Sequence, residues 1–280
     1  MIRLELGRLI RARLWRWAIG IGLSVGLGVL SWHWLGTYHA RATANVWDLV
    51  LAGVSQFYVA AVILPVYYLF LVGDLAAGDR EGYAALLAGR IPSRGAWWAA
   101  KVIALGVGGA LVVLLVLTIL VSMGFVVGLP FHLTWSLYVR HGGAYEVPRS
   151  AGLSLATVWP QGPLAAIGEW AALALGTFLS LGCNVLAVGL RLRTTLIPWL
   201  LGLVAASATY VVWMVQPTAL RWMPTAQMML LQHISRSPVR WFGTHPLWWS
   251  AGYVVIMSAM GIFGGLRQAR HMSLTPEVVG

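Results

Sequence analysis

The stretch VGDLAAGDREGYAALLAGRIPSRGAWWAAK, residues 72–101, separates two long apolar runs and holds seven charged side chains. Charge is scarce elsewhere, because only 10% of the 280 residues are charged, whereas 59% are hydrophobic and 16 are tryptophan. A soluble domain keeps about a quarter of its residues charged. Together with a mean hydropathy of +0.78, the composition predicts an integral membrane protein.

The apolar runs on either side of this stretch are long enough to cross a bilayer, which takes about 20 mostly apolar residues. Four further runs reach a similar length. We therefore predict an all-α integral membrane protein with six transmembrane helices, forming a single transmembrane domain of residues 1–280. The predicted spans are 17–36, 49–72, 101–128, 166–190, 195–215 and 247–266.

The basic residues predict how these spans are oriented. Lys and Arg concentrate in the cytoplasmic loops of membrane proteins. Most of the 19 lie on the face that carries the two termini and the stretch 72–101, so that face is expected in the cytoplasm. The exceptions are Arg41, Arg140, Arg149, Arg221, Arg236 and Arg240. Because the basic residues flank apolar runs and form no single face, the net charge of +11 does not indicate nucleic-acid binding.

The N-terminal segment MIRLELGRLIRARLWRW predicts a helix at the membrane surface. Apolar residues recur on roughly one side of residues 2–16, and the arginines suit anionic headgroups. The alternative is a plain basic flank that only sets the topology. The first apolar run lacks a clear cleavage site, so an uncleaved first span is expected in place of a signal peptide.

Within the opening stretch, residues 75–90 have the pattern of a short helix. Tyr83, Leu86 and Leu87 fall on one side at i, i+3, i+4 spacing. Acidic residues lie near the start, and Pro92 follows the end, where it prevents the helix from continuing. The apolar side of such a helix needs a partner, which is either another protein or the end of its own helical bundle.

The segment GDREGYAALLAGRIPSRGAWWAAK, residues 78–101, resembles the cytoplasmic loop of the type-2 ATP-binding-cassette (ABC) exporter permeases. In that family an acidic turn with a glycine precedes a pair of leucines, a proline, a Ser-Arg dipeptide and a lysine. Asp79 stands where the family usually has glutamate, and Tyr83 where threonine is common. The matching residues are Asp79, Glu81, Gly82, Leu86, Leu87, Pro92, Ser93, Arg94 and Lys101.

The resemblance implies that residues 75–90 form a coupling helix, which docks on a cytoplasmic ATPase subunit. It also implies two ATPase copies, a second permease copy or a homologue, and transport by alternating access in a bacterial or archaeal plasma membrane. The residues expected at the ATPase contact are Asp79, Glu81, Gly82, Tyr83, Leu86, Leu87, Pro92 and Arg94.

The chain itself is expected to be a transport subunit and not an enzyme. It has one lysine and no G-x-x-x-x-G-K-[ST] run, which a P-loop needs to hold nucleotide phosphates. We therefore expect no cofactor in this chain, with ATP and Mg²⁺ bound by the partner subunit. Membrane lipids are the other expected partners.

Four residues inside the predicted spans are candidates for a transport pathway or a gate: Gln56, Pro65, Glu169 and Asn184. Polar side chains at membrane depth are costly and are functional candidates for that reason. Each also has a plainer interpretation. Glu169 could lie at the membrane interface, Gln56 and Asn184 could form hydrogen bonds between helices, and Pro65 could be a structural kink.

Other patterns concern packing and metal binding. The G-x-x-x-G spacings Gly22/Gly26 and Gly261/Gly265 predict close helix contacts, within the chain or in a dimer. Residues 224–234 predict a short amphipathic or re-entrant helix. The histidines lack ligand spacing, so no metal site is expected. The single cysteine excludes a disulfide within one chain.

Two rival functions belong to other classes of membrane protein. A secondary transporter should show paired broken helices within an internal repeat, and the sequence has no repeat. An anchoring subunit of a larger complex would bind partners without moving cargo. An intramembrane hydrolase is disfavoured, because no serine in the spans has a histidine at matching depth.

Overall fold

The computed structural model describes residues 2–10, 14–37, 42–73, 75, 93–140, 160–192, 196–233 and 246–271. Every regular element in these ranges is helical, which confirms the all-α class. Three short 3₁₀ turns, Pro217–Trp222, Thr225–Met228 and Leu230–His233, precede the last helix. The α-helices are α1 (Ile2–Ile10), α2 (Leu14–Thr37), α3 (Val46–Ser55), α4 (Leu64–Val72), α5 (Arg94–Val126), α6 (Leu137–Arg140), α7 (Pro163–Leu192), α8 (Leu196–Val215) and α9 (Leu247–His271).

Four helices are long and apolar enough to cross a membrane, namely α2, α5, α7 and α9. A fifth candidate is the pair formed by α3 and the segment Val59–Val72, which meet at an angle of 62°. The segment Trp199–Val215 of α8 is a shorter apolar helix. The chain is therefore a multi-pass helical membrane protein by helix length and hydropathy, with four to five candidate spans where the sequence predicts six.

Helix α5 begins well before the predicted third span, because Ser93 caps it. The Ser93 backbone is extended, and its Oγ accepts a hydrogen bond from the Ala96 N–H at 3.1 Å. A serine in this position satisfies one of the N–H groups that a helix start leaves without a partner. Residues 94–101 of the opening stretch are thus a helical extension of the third span.

The bent pair of α3 and the segment Val59–Val72 is the second candidate span along the chain, called the second span from here on, and it is largely buried. All ten residues of α3 are buried, as expected for a helix that is apolar on every side. A capping box fixes where α3 begins. The Asn45 Oδ1 accepts hydrogen bonds from the N–H groups of Trp47 and Asp48, and Asp48 Oδ2 accepts one from the Asn45 N–H at 2.6 Å.

The second span is interrupted at Gln56, whose backbone is extended with φ −62° and ψ 132°. The chain resumes through a π turn, Val59–Ile63, before α4 begins. Pro65 lies in the first turn of α4 and has no backbone N–H to donate. The π turn before it has wider hydrogen-bond spacing and accommodates this missing donor. The sequence placed a kink at Pro65, but the main bend lies ahead of it, between Ser55 and Val59.

Helices α7 and α9 pack closely along their length. A Cβ at Gly261 would lie 2.7 Å from Cys183 Cβ and 2.8 Å from Asn184 N, so the contact needs glycine. A Cβ at Gly265 would collide with the Trp98 ring of α5. The predicted close contacts at Gly261 and Gly265 are confirmed, and both lie within the chain.

The other predicted glycine pair, Gly22 and Gly26, does not contact the other described helices. A Cβ at Gly22 or Gly26 would meet no described atom within 4 Å. In α2 the glycines that touch other helices are Gly20, against Tyr67, and Gly28, against Met123. The Gly22/Gly26 face of α2 therefore points away from the chain's own bundle.

Candidate functional site

Both ends of the segment 76–92 lie at one end of the bundle. Helix α1 and the last turn of α9 lie at the same end, because Glu5 pairs with Lys101 and Arg94 contacts Arg270. This arrangement brings the two ends of the described chain next to the opening stretch. We use the name loop junction for the group Glu5, Leu75, Arg94, Trp98 and Lys101.

The predicted coupling residues divide between described and undescribed parts of the chain. Arg94 belongs to the loop junction. The other seven lie outside the described residues, and they are Asp79, Glu81, Gly82, Tyr83, Leu86, Leu87 and Pro92. The proposed contact of these side chains with an ATPase remains a prediction from the sequence.

Lys101, the only lysine of the chain, is the centre of the loop junction. Its Nζ lies 2.9 Å from Glu5 Oε2 and donates a hydrogen bond of 2.7 Å to the carbonyl oxygen of Leu75. Both charged side chains are 1% exposed. The Nζ also lies 5.6 Å from the centre of the Trp97 ring, within the range of a cation–π contact. One ammonium group thus ties α5 to α1 and to the residue before the segment 76–92.

Helix α1 presents Glu5 to this lysine because it packs on α5 through one face. Glu5 and Leu9, four residues apart and therefore on one side of the helix, are its buried residues. Ile2 and Ile10 are exposed. Arg8 Nη1 lies 3.5 Å from Glu5 Oε1, which gives the carboxylate a second cation. The predicted helix near residues 2–16 exists over Ile2–Ile10, and its inner face carries an acid that the amphipathic pattern does not reveal.

The other end of the segment 76–92 is tied to the last helix. An Arg94 Nη1 N–H donates to the carbonyl oxygen of Arg270 in the last turn of α9. One turn further along α5, the Trp98 Nε1–H donates to the carbonyl oxygen of Ile262 at 2.8 Å. The Trp98 ring occupies the space that Gly265 leaves open. The first turns of α5 are therefore bound to α9 by two side chains.

The loop junction contains no arrangement for bond-making chemistry, but it is well built to transmit a displacement. The residue before the segment 76–92 is held by Lys101, and the residues after it are held by α9. A buried ion pair is unfavourable to break, and the Trp98 ring fills a close-packed gap. A force on the segment would reach three helices at once, namely α1, α5 and α9.

A second region of interest surrounds the break at Gln56. Phe57 stacks on Trp213 of α8 with ring centroids 4.5 Å apart, and Tyr58 packs on Tyr210 at 5.4 Å. The 3₁₀ turn Thr225–Met228 contacts the π turn of the second span, as well as α7, α8 and α9. The segment between α8 and α9 thus covers the π turn that follows the break.

That segment inserts into the bundle as 3₁₀ turns, where the sequence predicted a short helix at 224–234. Residues 225–230 are all buried. Backbone at such depth must have its polar groups paired or enclosed by protein. The Gln227 Nε2 donates to the carbonyl oxygens of Arg221 and Met223, and the hydroxyls of Thr209 and Thr225 lie 2.7 Å apart.

Ser250 and His233 form a pair that sequence reasoning missed. The Ser250 Oγ lies 2.6 Å from His233 Nε2 and 2.7 Å from Gln227 Oε1. Both Gln227 amide hydrogens point to backbone carbonyls, so Oε1 must accept the serine proton. His233 Nε2 then donates to the serine oxygen. This is the reverse of the arrangement that activates a serine nucleophile, in which histidine accepts the proton.

The remaining pathway candidates lie apart from one another. The Asn184 Nδ2 donates to Ser180 O within α7 and to Met257 O of α9, both at 2.8 Å. Its interpretation as a group that bonds two helices is confirmed. Glu169 is half-buried in α7, near that helix's first turns. Gln56 lies at the break and Pro65 beyond it, so the structure does not unite the four in one site.

Comparison with known proteins adds no relative. No protein-family model, no curated protein and no solved structure matches this chain.

Proposed function

We propose that the chain is the membrane subunit of an ATP-driven exporter and works by alternating access, with a separate ATPase supplying the energy. It would have six spans, with α3–α4 as the second and α8 as the fifth, and both termini in the cytoplasm. It would pair with a second copy or a homologue above two ATPase subunits. The resemblance of residues 78–101 to the coupling loop of type-2 ABC permeases is the origin of this proposal.

The observation that carries the proposal furthest is the loop junction. A coupling helix can move a permease only if both of its ends are attached firmly to the spans. Here Leu75 is bonded to Lys101, and Arg94 is bonded to Arg270. Closure of docked ATPases would push on residues 76–92, and these two attachments would pass the displacement to α1, α5 and α9.

One observation favours a secondary transporter as the second candidate. Broken helices with exposed backbone ends are typical of ion-coupled transporters, and the second span is broken at Gln56. Such folds use a pair of broken helices from related halves. Within the described residues only one bent pair occurs, which supports the exporter over this alternative. An anchoring subunit remains the third candidate.

An enzymatic role in the membrane has less support. Ser250 is fully buried, and its hydroxyl proton is directed to Gln227 and not to His233. A hydrolase would need a serine that donates its hydroxyl proton to the histidine, and an open path by which substrate reaches that serine. The pair is better explained as a structural link between the 3₁₀ segment and α9.

The test is purification of the chain from its native membranes in mild detergent, followed by an ATP hydrolysis assay on the eluate. We expect a soluble P-loop subunit to co-purify. Leu87→Asp places a charge on the proposed docking side, and such a change at an interface centre costs about 2 kcal/mol or more, or roughly 30-fold in affinity. The variant should therefore lose both the partner and the hydrolysis.

Arg140→Ala is the matched control, because Arg140 is exposed and lies beyond the far end of α5. It should retain the partner and the ATPase activity. If the native chain elutes without a P-loop subunit, or if Leu87→Asp hydrolyses ATP as fast as Arg140→Ala, the exporter proposal fails. Elution with other membrane proteins alone would favour the anchor.

A further inference from the structure

The start of α9 and the 3₁₀ turn Pro217–Trp222 together form a patch of tryptophan rings around one arginine. The Trp222 and Trp249 rings meet edge-on with centroids 4.9 Å apart, and the Trp249 ring lies 6.2 Å from that of Trp248. The Arg221 Cζ lies 5.5 Å from the centre of the Trp222 ring, within the range of a cation–π contact. We use the name tryptophan patch for Arg221, Trp222, Trp248 and Trp249.

Side-chain hydrogen bonds hold the backbone of the tryptophan patch in place. The Trp249 Nε1–H donates to the carbonyl oxygen of Arg221 at 3.0 Å, and the Gln227 Nε2 donates to the same oxygen at 2.8 Å. The Tyr253 hydroxyl donates to the carbonyl oxygen of Trp222 at 3.0 Å. The main chain of Arg221 is therefore anchored through its carbonyl group, and its guanidinium takes no part in that anchoring.

The tryptophan patch lies at a membrane surface. Helix α9 is a candidate span, and its last turn lies at the loop junction, so its first turn reaches the opposite surface. Tryptophan is enriched where a membrane protein passes from lipid to water. Trp222 and Trp248 are 52% and 70% exposed, and Arg221 is exposed as well. The patch is thus accessible at the depth of the lipid headgroups.

The charge of Arg221 has no explanation in the topology or in the described part of the chain. Arg221 is one of the basic residues that depart from the positive-inside pattern. Among the described residues, it forms no ion pair with a carboxylate. Its guanidinium has five N–H donors and no acceptor, and the indole N–H groups of Trp222 and Trp248 are also donors only. The patch therefore suits a ligand that offers acceptor oxygens and a negative charge.

We propose that the tryptophan patch binds the headgroup of an anionic phospholipid. Phosphate oxygens match the planar guanidinium of Arg221, which binds them through paired N–H donors. The ester carbonyls of the lipid offer acceptors to the indole N–H groups. A headgroup with net negative charge fits better than a choline headgroup, because the patch contains no carboxylate to receive the choline ammonium. That this leaflet is the outer one rests on the proposed function, but the site itself does not.

The first test locates the lipid by photocrosslinking. The full chain is reconstituted in phosphatidylcholine vesicles that contain a small fraction of phosphatidylglycerol with a diazirine on its headgroup, and the crosslinked peptides are identified by mass spectrometry. We expect crosslinks at residues 221–222 and 247–249. Arg221→Gln should lower their yield about fivefold, because one basic residue near a membrane surface contributes about 1 kcal/mol to the attraction of anionic lipid.

Arg140→Gln is the matched control, because Arg140 is an exposed arginine beyond the far end of α5, and it should keep the native yield. Arg221→Gln retains the carbonyl that anchors the patch, and equal thermal unfolding shows that the variants are folded. Arg221→Lys should give an intermediate yield, since an ammonium keeps the charge without the paired donors.

The site is refuted if the crosslinks fall elsewhere, or if neither Arg221 variant lowers the yield more than Arg140→Gln does. Either result would leave the exporter proposal untouched, because crosslinking needs neither ATP nor a partner subunit.

The second test identifies the ligand class by competition in the same vesicles. Unlabelled phosphatidylglycerol should lower the crosslink yield at the patch, about twofold when it occupies half of the sites. Diacylglycerol with the same acyl chains has no phosphate and should not compete, and neither should inorganic phosphate in the buffer. Equal competition by diacylglycerol would mean that the rings merely lie in lipid, and competition by inorganic phosphate would indicate a soluble anion. Each of these outcomes would refute the phospholipid site.

Discussion

Removal of the Lys101 ammonium should destabilise the chain, because a buried carboxylate loses its nearest cation. Lys101→Met keeps most of the side-chain volume but leaves Glu5 in its buried position, 1% exposed, with Arg8 Nη1 at 3.5 Å as the remaining cation. Loss of one partner of a buried pair costs about 3–5 kcal/mol.

Two other contacts affect the size of the loss. The carbonyl oxygen of Leu75 also loses its donor at 2.7 Å, which adds about 1 kcal/mol. Arg8 offsets some of the loss. We therefore expect Lys101→Met to lose about 3–4 kcal/mol.

The assay is denaturant unfolding of the detergent-solubilised chain, followed by tryptophan fluorescence. The double variant Glu5→Leu/Lys101→Met should recover most of the loss, because apolar residues replace a buried pair at little cost.

A loss below about 1 kcal/mol would refute the buried pair, because it falls well outside the expected range. So would a double variant as unstable as the two single changes added together. A coupling of about 2 kcal/mol or more in the double-mutant cycle would establish that Glu5 and Lys101 act on each other.

Two further variants test the contact between α7 and α9. Gly261→Ala should lose about 2 kcal/mol through overpacking against Cys183 and the Asn184 backbone. The control is Gly264→Ala, where a Cβ has no described neighbour closer than 4.0 Å, and it should be neutral or stabilising in the same unfolding assay. Equal effects of the two variants would contradict the close contact. Asn184→Leu should lose only about 0.6–1.7 kcal/mol, the usual range for a hydrogen bond between membrane helices, and a larger loss would mean that its bond to Met257 O has a further role.

The spans could be predicted because their signal is local. A run of about 20 apolar residues can be recognised without knowledge of its neighbours, and α2, α5, α7 and α9 follow the predicted runs. The predicted span 101–128 does not show where α5 itself begins, because hydropathy cannot detect a cap. The Ser93 side chain, and not the first apolar residue, determines where that helix begins.

The loop junction could be predicted only in part. Lys101 and Arg94 belong to the motif, but the partner of Lys101 lies 96 residues away in α1. The signal that could have found it is the rarity of the two residue types. Glu5 is the only acid in the N-terminal segment and Lys101 the only lysine of the chain, and a membrane protein that buries one tends to pair it with the other.

The break at Gln56 had no recognisable signal, because glutamine neither forbids a helix nor favours an extended backbone. Pro65 offered a stronger local reason for a kink, and the prediction followed it. The interruption is stabilised by tertiary contacts, namely the stacking of Phe57 on Trp213 and the 3₁₀ turn that covers the π turn. Such contacts join residues far apart in the sequence.

Helix α9 physically connects the two regions. Its last turn accepts the bond from Arg94 at the loop junction, and its first turn bears Ser250, which bonds to Gln227 of the segment that covers the π turn of the second span. These attachments lie at opposite ends of a rigid helix of 25 residues, about 37 Å long. A displacement of α9 along its axis would therefore change both regions together. In the proposed exporter, this continuity would let closure of the ATPases at one end alter the packing around the π turn of the second span at the other.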